Sequence, residues 1–345
     1  MRNTLKLMLL CCSVAVIAFS QDYPFLRNVQ VRSSVSKQGP GQMLLFSLHL
    51  FNDPTSVGSI QAVDIDISRS PNSIDLDTTG LKFNSQLEET FFRRRFASLR
   101  ERVVPVGIPS LPGSEWLAML TNRGTLSISA DSKFVPPGES VDGIVLMSKG
   151  LPAIRYFVVE PNFQDDRLFP SLDDTARTIT VSQMDSIREA VNYFGRTIGP
   201  TAPPNPFIHL AFLDTLFSYT RQSAELGWLG KGKDEDCDKD ERPEVGIVRN
   251  IESRLQKAGR ELERGDSVKA RGELEKLIAK VERIWKRSEK QEGQREGKDR
   301  KHRGERGKGE PVIMTSEGYA LLKYNTEFLI ERLPPIKKKT RNDRG

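Results

Sequence analysis

The chain changes its pattern of apolar positions near its middle. Between Asn28 and Val181, apolar residues alternate with polar ones in short runs, and Gly, Pro, Asn and Asp cluster between the runs. That period is typical of strands that are buried on one face. After Pro206 the apolar positions recur every three or four residues, which is the period of a helix packed on one side. The sequence therefore predicts a strand-rich half followed by a helical half.

The strand-rich half favours an antiparallel β-sandwich. Several short strands at this spacing, with little helix among them, are typical of that architecture. The Cys–Trp–Cys pattern of antibody domains is missing from this half, so we expect a sandwich that is immunoglobulin-like only in a loose sense. The predicted strands centre on residues 29–35, 44–50, 60–67, 116–120, 126–128, 141–146 and 154–158, with a further candidate at 177–181.

Residues 88–103 interrupt the strand pattern with aromatic and arginine residues, in what could be an amphipathic helix or a long loop. One interpretation makes Arg93, Arg94 and Arg95 a surface that contacts nucleic acid or an anionic polymer. The interpretation that we favour packs the phenylalanines on the sandwich, while the arginine stems cover apolar surface and the charged heads stay in water. These three arginines are the candidate interaction surface that the sequence offers.

The helical half predicts a small bundle of four helices. Gly265 can take the left-handed conformation that ends a helix, and Asp266 can cap the helix that follows, so residues 246–285 form a helical hairpin. Thr315 is the expected N-cap of the last helix. The expected inward positions are Ile208, Ala211, Phe212, Thr215, Tyr219 and Leu226 in the first helix, Ile247, Ile251, Leu255, Ala258 and Leu262 in the second, Ala270, Leu274, Leu277, Ile278, Val281 and Trp285 in the third, and Tyr319, Leu322, Leu329 and Leu333 in the fourth.

Several short motifs of the helical half resemble one known module. They are Phe212-Leu213-Asp214-Thr215-Leu216 with Leu226-Gly227-Trp228, then Glu263-Arg264-Gly265-Asp266 with Ala270-Arg271-x-Glu273-Leu274, and last Thr315-Ser316-Glu317-x-Tyr319-Ala320-Leu321-Leu322. In this order they are similar to the FIMAH-type domain of secreted bacterial proteins, from which the chain departs in the long charged stretch before the last helix. The resemblance implies a non-enzymatic accessory domain in an exported protein, and it brings no catalytic residues with it.

The first twenty residues predict export. Arg2 and Lys6 flank the start of an apolar run that ends in Ala18-Phe19-Ser20, a sequence that suits signal cleavage after Ser20. The run is short for a membrane span. Lipidation at Cys11 or Cys12 is the weaker alternative. A lipidated cysteine normally follows a small residue, but Leu10 precedes Cys11 and Cys11 precedes Cys12. We expect a protein that is secreted or held at the cell envelope, with no transmembrane helix after cleavage.

The pattern divides the chain into a signal peptide (1–20), a sandwich (21–182), a short helix with a proline-rich linker (183–206), a bundle (207–334) and a basic tail (335–345). Residues 287–310, rich in Lys, Arg, Glu, Gln and Gly, are expected to be a flexible charged insertion in the bundle.

Composition and motifs narrow the chemistry. A net charge of +6 is mild for 345 residues, so specific binding of nucleic acid is not expected. Cys237 is the sole cysteine outside the signal peptide, which leaves it either free or bridged to another molecule. Asp234 to Asp240 alternate as in a calcium loop, but Lys239 and Val245 stand where that loop needs glycine and glutamate.

The three histidines lack the spacing of a zinc site, and no nucleophile elbow, phosphate loop or dinucleotide fingerprint is present. We therefore expect no catalytic residues, no metal and no cofactor. The sequence predicts a non-enzymatic binding or accessory protein whose sandwich recognises an extracellular glycan or protein and whose helical module docks or forms oligomers. Two alternatives stay open, namely a structural component that acts through helix–helix pairing and an extracellular hydrolase without recognisable motifs.

Overall fold

A computed structural model describes residues 25–38, 43–83, 85–99, 102–121, 124–162, 190–230, 243–299 and 314–334. Within these ranges the chain forms nine strands and five helices. The strands are β1 (Gln30–Gln38), β2 (Met43–Phe51), β3 (Ile60–Asp66), β4 (Gly107–Ser110), β5 (Trp116–Leu120), β6 (Thr125–Ala130), β7 (Ser140–Ser148), β8 (Leu151–Pro161) and β9 (Tyr193–Thr201). The helices are α1 (Gln86–Leu99), α2 (His209–Glu225), α3 (Pro243–Glu263), α4 (Ser267–Asp299) and α5 (Ser316–Arg332).

The strands form two antiparallel sheets. One has the order β1-β2-β7-β4 and the other the order β5-β6-β3-β8-β9. Phe46 and Ile144 of the first sheet share a hydrophobic cluster with Ile65, Ile128 and Phe157 of the second. Alternate residues of these strands are buried, as the period of two requires. The prediction of antiparallel strands in the first half, followed by helices, is confirmed at this level.

Helix α1 lies between β3 and β4 and packs its aromatic residues inward. Phe92 and Phe96 are buried, and the rings of Phe83 and Phe92 stack with centroids 5.4 Å apart. Phe91 remains 45% exposed. The phenylalanines therefore contribute to the core of the sheets, in line with the packing interpretation of this stretch.

Strand β9 corrects the prediction for residues 183–206. The sequence suggests a short helix and a linker there, but Tyr193–Thr201 pairs with β8 along its whole length. Pro200 is compatible with this strand because β9 lies at the edge of its sheet, where a residue without a main-chain N–H is tolerated. The ring of Phe157 covers Gly195, where an added Cβ would lie 2.3 Å from the ring. Residues 163–189, with the candidate strand 177–181, lie outside the described residues.

The four C-terminal helices contact one another. Helix α3 packs on α2 and α4, and α5 packs on α2 and α4. Between α3 and α4, Gly265 has a φ of +76°, and Asp266 Oδ1 accepts the main-chain N–H of Lys269 at 2.9 Å. The facing stripes of the hairpin are buried, as the sequence predicts for Ile251, Leu255, Ala258, Ala270, Leu274, Leu277 and Val281.

Helix α2 buries a face that overlaps the predicted one only in part, since Phe212 is buried and Tyr219 packs on the core of the sheets as predicted. Ala211 is exposed, and Ile208, just before the helix, is 56% exposed. The Thr220 hydroxyl donates to Leu216 O at 2.8 Å, so this polar residue is buried with its hydrogen bond made inside the helix. A pattern of apolar residues alone therefore misplaces the inner face. The buried residues of α2 are Phe212, Leu213, Leu216, Thr220 and Ser223.

Helix α4 corrects the prediction of a flexible insertion at 287–310. The helix continues to Asp299, and residues 300–313 lie outside the described residues. The tract is rich in Lys, Arg, Glu and Gln, which favour helix, and it extends a helix that packing has already nucleated. Adding one residue to an existing helix is far less costly than starting a new one, so Gly293 and Gly297 do not end it.

Helix α5 lies between the core of the sheets and that of the helices. Ala320, Leu321 and Tyr324 belong to the hydrophobic cluster of the sheets, whereas Leu322 and Leu329 belong to that of the helices. The sequence predicts one inward face for this helix, whereas the structure buries two faces of it. No described helix is both long enough and apolar enough to span a bilayer. The predicted signal peptide, the Asp234–Asp240 run with Cys237, and the tail 335–345 lie outside the described residues.

Candidate functional site

The start of α5 binds the outer edge of β1 through side chains. Ser33 N–H donates to Glu317 Oε1 at 2.8 Å, and the Ser316 hydroxyl donates to Ser33 O at 3.0 Å. Two turns further along α5, the Tyr324 hydroxyl donates to Val35 O at 3.0 Å. Main-chain groups at alternate residues of a strand point to the same side, so these side chains replace the neighbouring strand that an edge strand lacks.

The entry to α5 is held against the segment that follows α2. Gly227 has a φ of +72°, and Trp228 N–H donates back to Ser223 O at 2.7 Å, which ends α2 and turns the chain toward α5. Trp228 O then accepts the N–H of Thr315 at 2.9 Å. Gly318 permits this approach, since a Cβ there would lie 2.7 Å from Trp228 O. Thr315 Oγ1 faces Gly318 N–H at 3.5 Å as the N-cap of α5.

A cleft of about 420 Å³ lies where these elements meet, and we call it the junction cleft. Its floor is made by the outer edges of β1 and β9, which contact each other. Its walls come from the turn after α2, from α4 and from the start of α5. The lining residues are Val29, Gln30, Val31, Arg32, Phe157, Tyr193, Gly195, Arg196, Leu226, Gly227, Trp228, Trp285, Thr315, Ser316 and Glu317.

The junction cleft has an excess of positive charge. Arg32 Nε donates to Gln30 Oε1 at 3.0 Å, and the Arg196 guanidinium stacks on the ring of Tyr156. Neither guanidinium forms an ion pair with a carboxylate of the described residues. Glu317, the single carboxylate of the lining, accepts hydrogen bonds from Ser33 and Ser316 and is 4% exposed. Its carboxylate is therefore bonded within the protein, while the two arginines belong to the lining of the cleft.

Aromatic rings supply the apolar part of the cleft. Trp285 stacks on Tyr319 with ring centroids 5.1 Å apart, and the Tyr319 hydroxyl accepts a hydrogen bond from Lys323 at 2.8 Å. Burial opposes the charge of Lys323, but its bonds to Tyr319 and to Glu282 (3.1 Å) outweigh this and raise the pKa of the ammonium group. Lys323 therefore stays charged and holds Tyr319 behind Trp285.

A buried arginine of β8 joins the end of β9 to β3 within the five-stranded sheet. Arg155 donates to Pro200 O through Nε and Nη2, at 3.1 and 2.7 Å, and its Nη1 lies 3.4 Å from Asp66 Oδ2. Burial lowers the pKa of Arg155, and burial raises the pKa of the nearby Tyr219 to about 12. Tyr219 of α2 packs against the core of the sheets near this arginine.

The candidate arginines of α1 lie elsewhere. Arg93 forms an ion pair with Glu89 at 2.8 Å, and Arg95 Nε donates to Leu120 O at 3.3 Å. Arg94 is exposed. None of the three lines the junction cleft, and neither do Gly265 and Asp266, which form the turn between α3 and α4, whereas Thr315 does line it.

Sequence reasoning missed Arg32, Arg196 and Trp285 as members of one site. Arg32 and Arg196 stand at ordinary outward positions of strands, so no local signal marks them. Trp228 is different, because Gly227 before it is a helix-ending glycine that the sequence does reveal.

The described residues offer little sign of metal or nucleophile chemistry. No group of three His, Cys, Asp or Glu within them could hold a metal ion. His49 Nδ1 lies 2.7 Å from Asp142 Oδ1 across β2 and β7, but neither residue lines the cleft. Comparison of the chain with protein-family models and with curated protein sequences gives no match.

Proposed function

We propose that this is a non-enzymatic binding or accessory protein of the extracellular space or the cell surface, with its ligand held in the junction cleft. In this proposal the two sheets form a loosely immunoglobulin-like sandwich. Helices α2 to α5 form a bundle of the FIMAH type, and the predicted signal peptide directs export. The ligand is a glycan or a protein, and it contacts both halves of the molecule.

One observation carries the proposal. Two arginines and three aromatic side chains (Tyr193, Trp228 and Trp285) converge in one cleft, and the arginines have no carboxylate partner among the described residues. Concave sites with aromatic walls and a few polar groups are typical of ligand binding. Since an arginine fork matches an oxyanion in a bidentate way, the cleft suits a ligand with negative charge.

The alternative of a structural component that pairs helices has weaker support. Helix α5 contacts β1, β8 and β9 on one side and the other helices on the other side, so this chain itself covers most of its surface. The open groove between α2 and α3 is lined by polar residues such as Asp214, Arg221 and Gln256. Helix pairing usually needs a continuous apolar stripe, and such a groove does not provide one.

The test is ligand binding by the whole secreted chain. The protein would be applied to arrays of glycans and of peptides, and hits would be measured by titration calorimetry. Trp285→Ala and Arg196→Ala should each weaken a cleft ligand at least about tenfold, because each removes a contact worth about 1.4 kcal/mol or more. Arg94→Ala, an exposed arginine of α1, is the matched control and should change nothing.

Two results would overturn the proposal. The first is a ligand whose affinity is unaffected by both cleft variants. The second is turnover of a glycoside, ester or peptide substrate that is lost in the same variants, since this would make the cleft catalytic. Separately, N-terminal sequencing of protein recovered from the medium and from the envelope of the native host tests cleavage after Ser20 and shows where the protein resides.

A further inference from the structure

We infer that the junction cleft continues onto the outer face of the five-stranded sheet, and that the two together bind an oligosaccharide that carries carboxylate groups. This inference rests on the proposed binding function and extends it by naming the class of ligand and the surface along which the ligand lies.

Arg196 connects the two surfaces. It lines the cleft and is the cross-strand partner of Tyr156 in the pairing of β8 with β9. The centre of its guanidinium lies 3.3 Å from the centroid of the Tyr156 ring. Phe194, two residues earlier on β9, projects from the same face as Arg196. Phe157, at an adjacent position of β8, projects to the opposite face and is buried in the core. Phe157, Tyr193 and Gly195 line the cleft from that opposite face, so the cleft meets the strip of Arg196, Tyr156 and Phe194 around the outer edge of β9, where Arg196 belongs to both.

The rings of this strip are unusually exposed for residues of their size. Tyr156 is 57% exposed and Phe194 is 59% exposed. Strand pairing fixes the main chain of both residues, and stacking with Arg196 restrains the Tyr156 ring, so ordering this ring costs a ligand less free energy. Sugar rings have apolar C–H faces that pack on aromatic rings, and their polar edges stay in water. An exposed aromatic surface next to a charged cleft therefore suits a saccharide better than an apolar ligand, which would need an enclosed pocket.

The arginines specify the charge of this saccharide. A guanidinium stacked on a ring uses its flat face, so the N–H donors of Arg196 remain at its edge, available for a planar oxyanion. Arg32 donates one N–H to Gln30 and keeps its other donors. A carboxylate accepts two parallel N–H bonds from such a fork. Two arginines in one cleft therefore favour an acidic over a neutral sugar chain.

An extended peptide that adds to the edge of β1 is the competing ligand. Alternate residues of β1 present their main-chain groups on that edge, and helix α5 already bonds to Ser33 and Val35 there. Within β1 this leaves the main-chain groups of Val31, which lines the cleft, for a peptide to bind. One residue of free edge supports few main-chain hydrogen bonds. The exposed rings of Tyr156 and Phe194 would also stay unused, so the saccharide accounts for more of the surface.

The experiment uses the full mature chain and titration calorimetry. The probes are hexamers of galacturonate, of guluronate and of hyaluronan, the methyl ester of the galacturonate hexamer, a sulfated hexamer without carboxylates, and hexaglutamate. At least one carboxylated hexamer should bind, and its methyl ester should bind at least about tenfold more weakly. Arg196→Gln and Tyr156→Ala should each weaken binding at least about tenfold, and Arg94→Gln should have no effect. Far-UV circular dichroism of every variant controls for folding.

The other outcomes separate this inference from the proposed function. Equal binding of the acid and its methyl ester, or tighter binding of the sulfated hexamer, would overturn the carboxylate assignment. Equal or tighter binding of hexaglutamate would overturn the saccharide. A ligand that depends on Trp285 but not on Tyr156 would leave the cleft functional and remove the strip from the site. Failure of all carboxylated hexamers, with binding of another ligand from the arrays, would overturn this inference alone.

Discussion

Replacing Glu317 by alanine should loosen the contact between α5 and the edge of β1. Glu317 is 4% exposed, and the residue that donates to it, Ser33, is completely buried. The substitution therefore leaves the Ser33 N–H in the interior without an acceptor. An unsatisfied buried donor costs about 1–3 kcal/mol, and hydrogen bonds to charged groups lie at the upper end of the range for hydrogen bonds. We expect a loss of about 2–3 kcal/mol in the free energy of unfolding.

Two further variants give this prediction a scale. Glu317→Gln keeps an acceptor oxygen at the same place and removes the charge, so its loss should be about 1 kcal/mol. Glu331→Ala is the matched control on the same helix. Glu331 lies 3.6 Å from Lys37, and both side chains are about 40% exposed. Exposed pairs of this kind contribute roughly 0–1 kcal/mol.

The assay is urea unfolding followed by tryptophan fluorescence, with far-UV circular dichroism as the second signal. Trp228 and Trp285 lie at the junction and Trp116 lies in the core of the sheets, so fluorescence follows both halves. The expected order of destabilisation is Glu317→Ala, then Glu317→Gln, then Glu331→Ala, at an unchanged slope with denaturant. If Glu317→Ala costs no more than Glu331→Ala, the bond to the strand edge adds nothing to stability and the reasoning fails.

Three further predictions use the same measurement. Gly318→Ala should lower the free energy of unfolding by about 1–3 kcal/mol, because the new Cβ would lie 2.7 Å from Trp228 O. Gly272→Ala meets no atom within 4 Å, so it should stabilise α4 by about 0.5–1 kcal/mol. Equal effects of the two substitutions would contradict the close approach at Gly318. Leu255→Ala should cost about 2–5 kcal/mol, since Leu255 is fully buried, and a loss below about 1 kcal/mol would show that this core is loosely packed. Burial raises the pKa of Tyr219 to about 12, so the folded state keeps a proton that the unfolded chain releases from about pH 10. Stability present below pH 10 is therefore lost as the pH rises toward 12, by about 2 kcal/mol. Tyr219→Phe should lack this loss when unfolding is compared at pH 9 and pH 12.

The strands and the hairpin of α3 and α4 could be predicted because each has one inner face. The alternation of apolar residues in β2, and their spacing of three and four around Leu255 and Leu274, are local signals. The residues that they mark as inward are buried in the structure. In helix α5 the pattern marks Leu322 and Leu329, which pack on the helices, but it does not mark the face that packs on the sheets. Glu317 and Asn325 would be assigned to the surface by residue type, but their partners, Ser33 and Pro152, lie far away in the chain, so their burial follows from long-range contacts alone.

The candidate site could be predicted only in part for the same reason. Gly227 marks a helix end, and the turn that it makes brings Trp228 to the cleft. Nothing local indicates that the edges of β1 and β9 meet, because β9 pairs with β8 in a segment where a helix and a linker were expected. Without that strand Arg32 and Arg196 are unrelated surface residues, and the cleft between them has no floor.

The covering of β1 by α5 has a consequence for the order in which the protein is made. Ser33 and Glu317 are 284 residues apart, so the strand is synthesised long before the helix that covers it. Until then β1 can pair with β2, but its other side is open to strands of neighbouring chains. Contacts over such a distance are also slow to form. A chain that stops before Ser316 would keep this edge permanently open, and we expect it to aggregate more than a chain that includes α5.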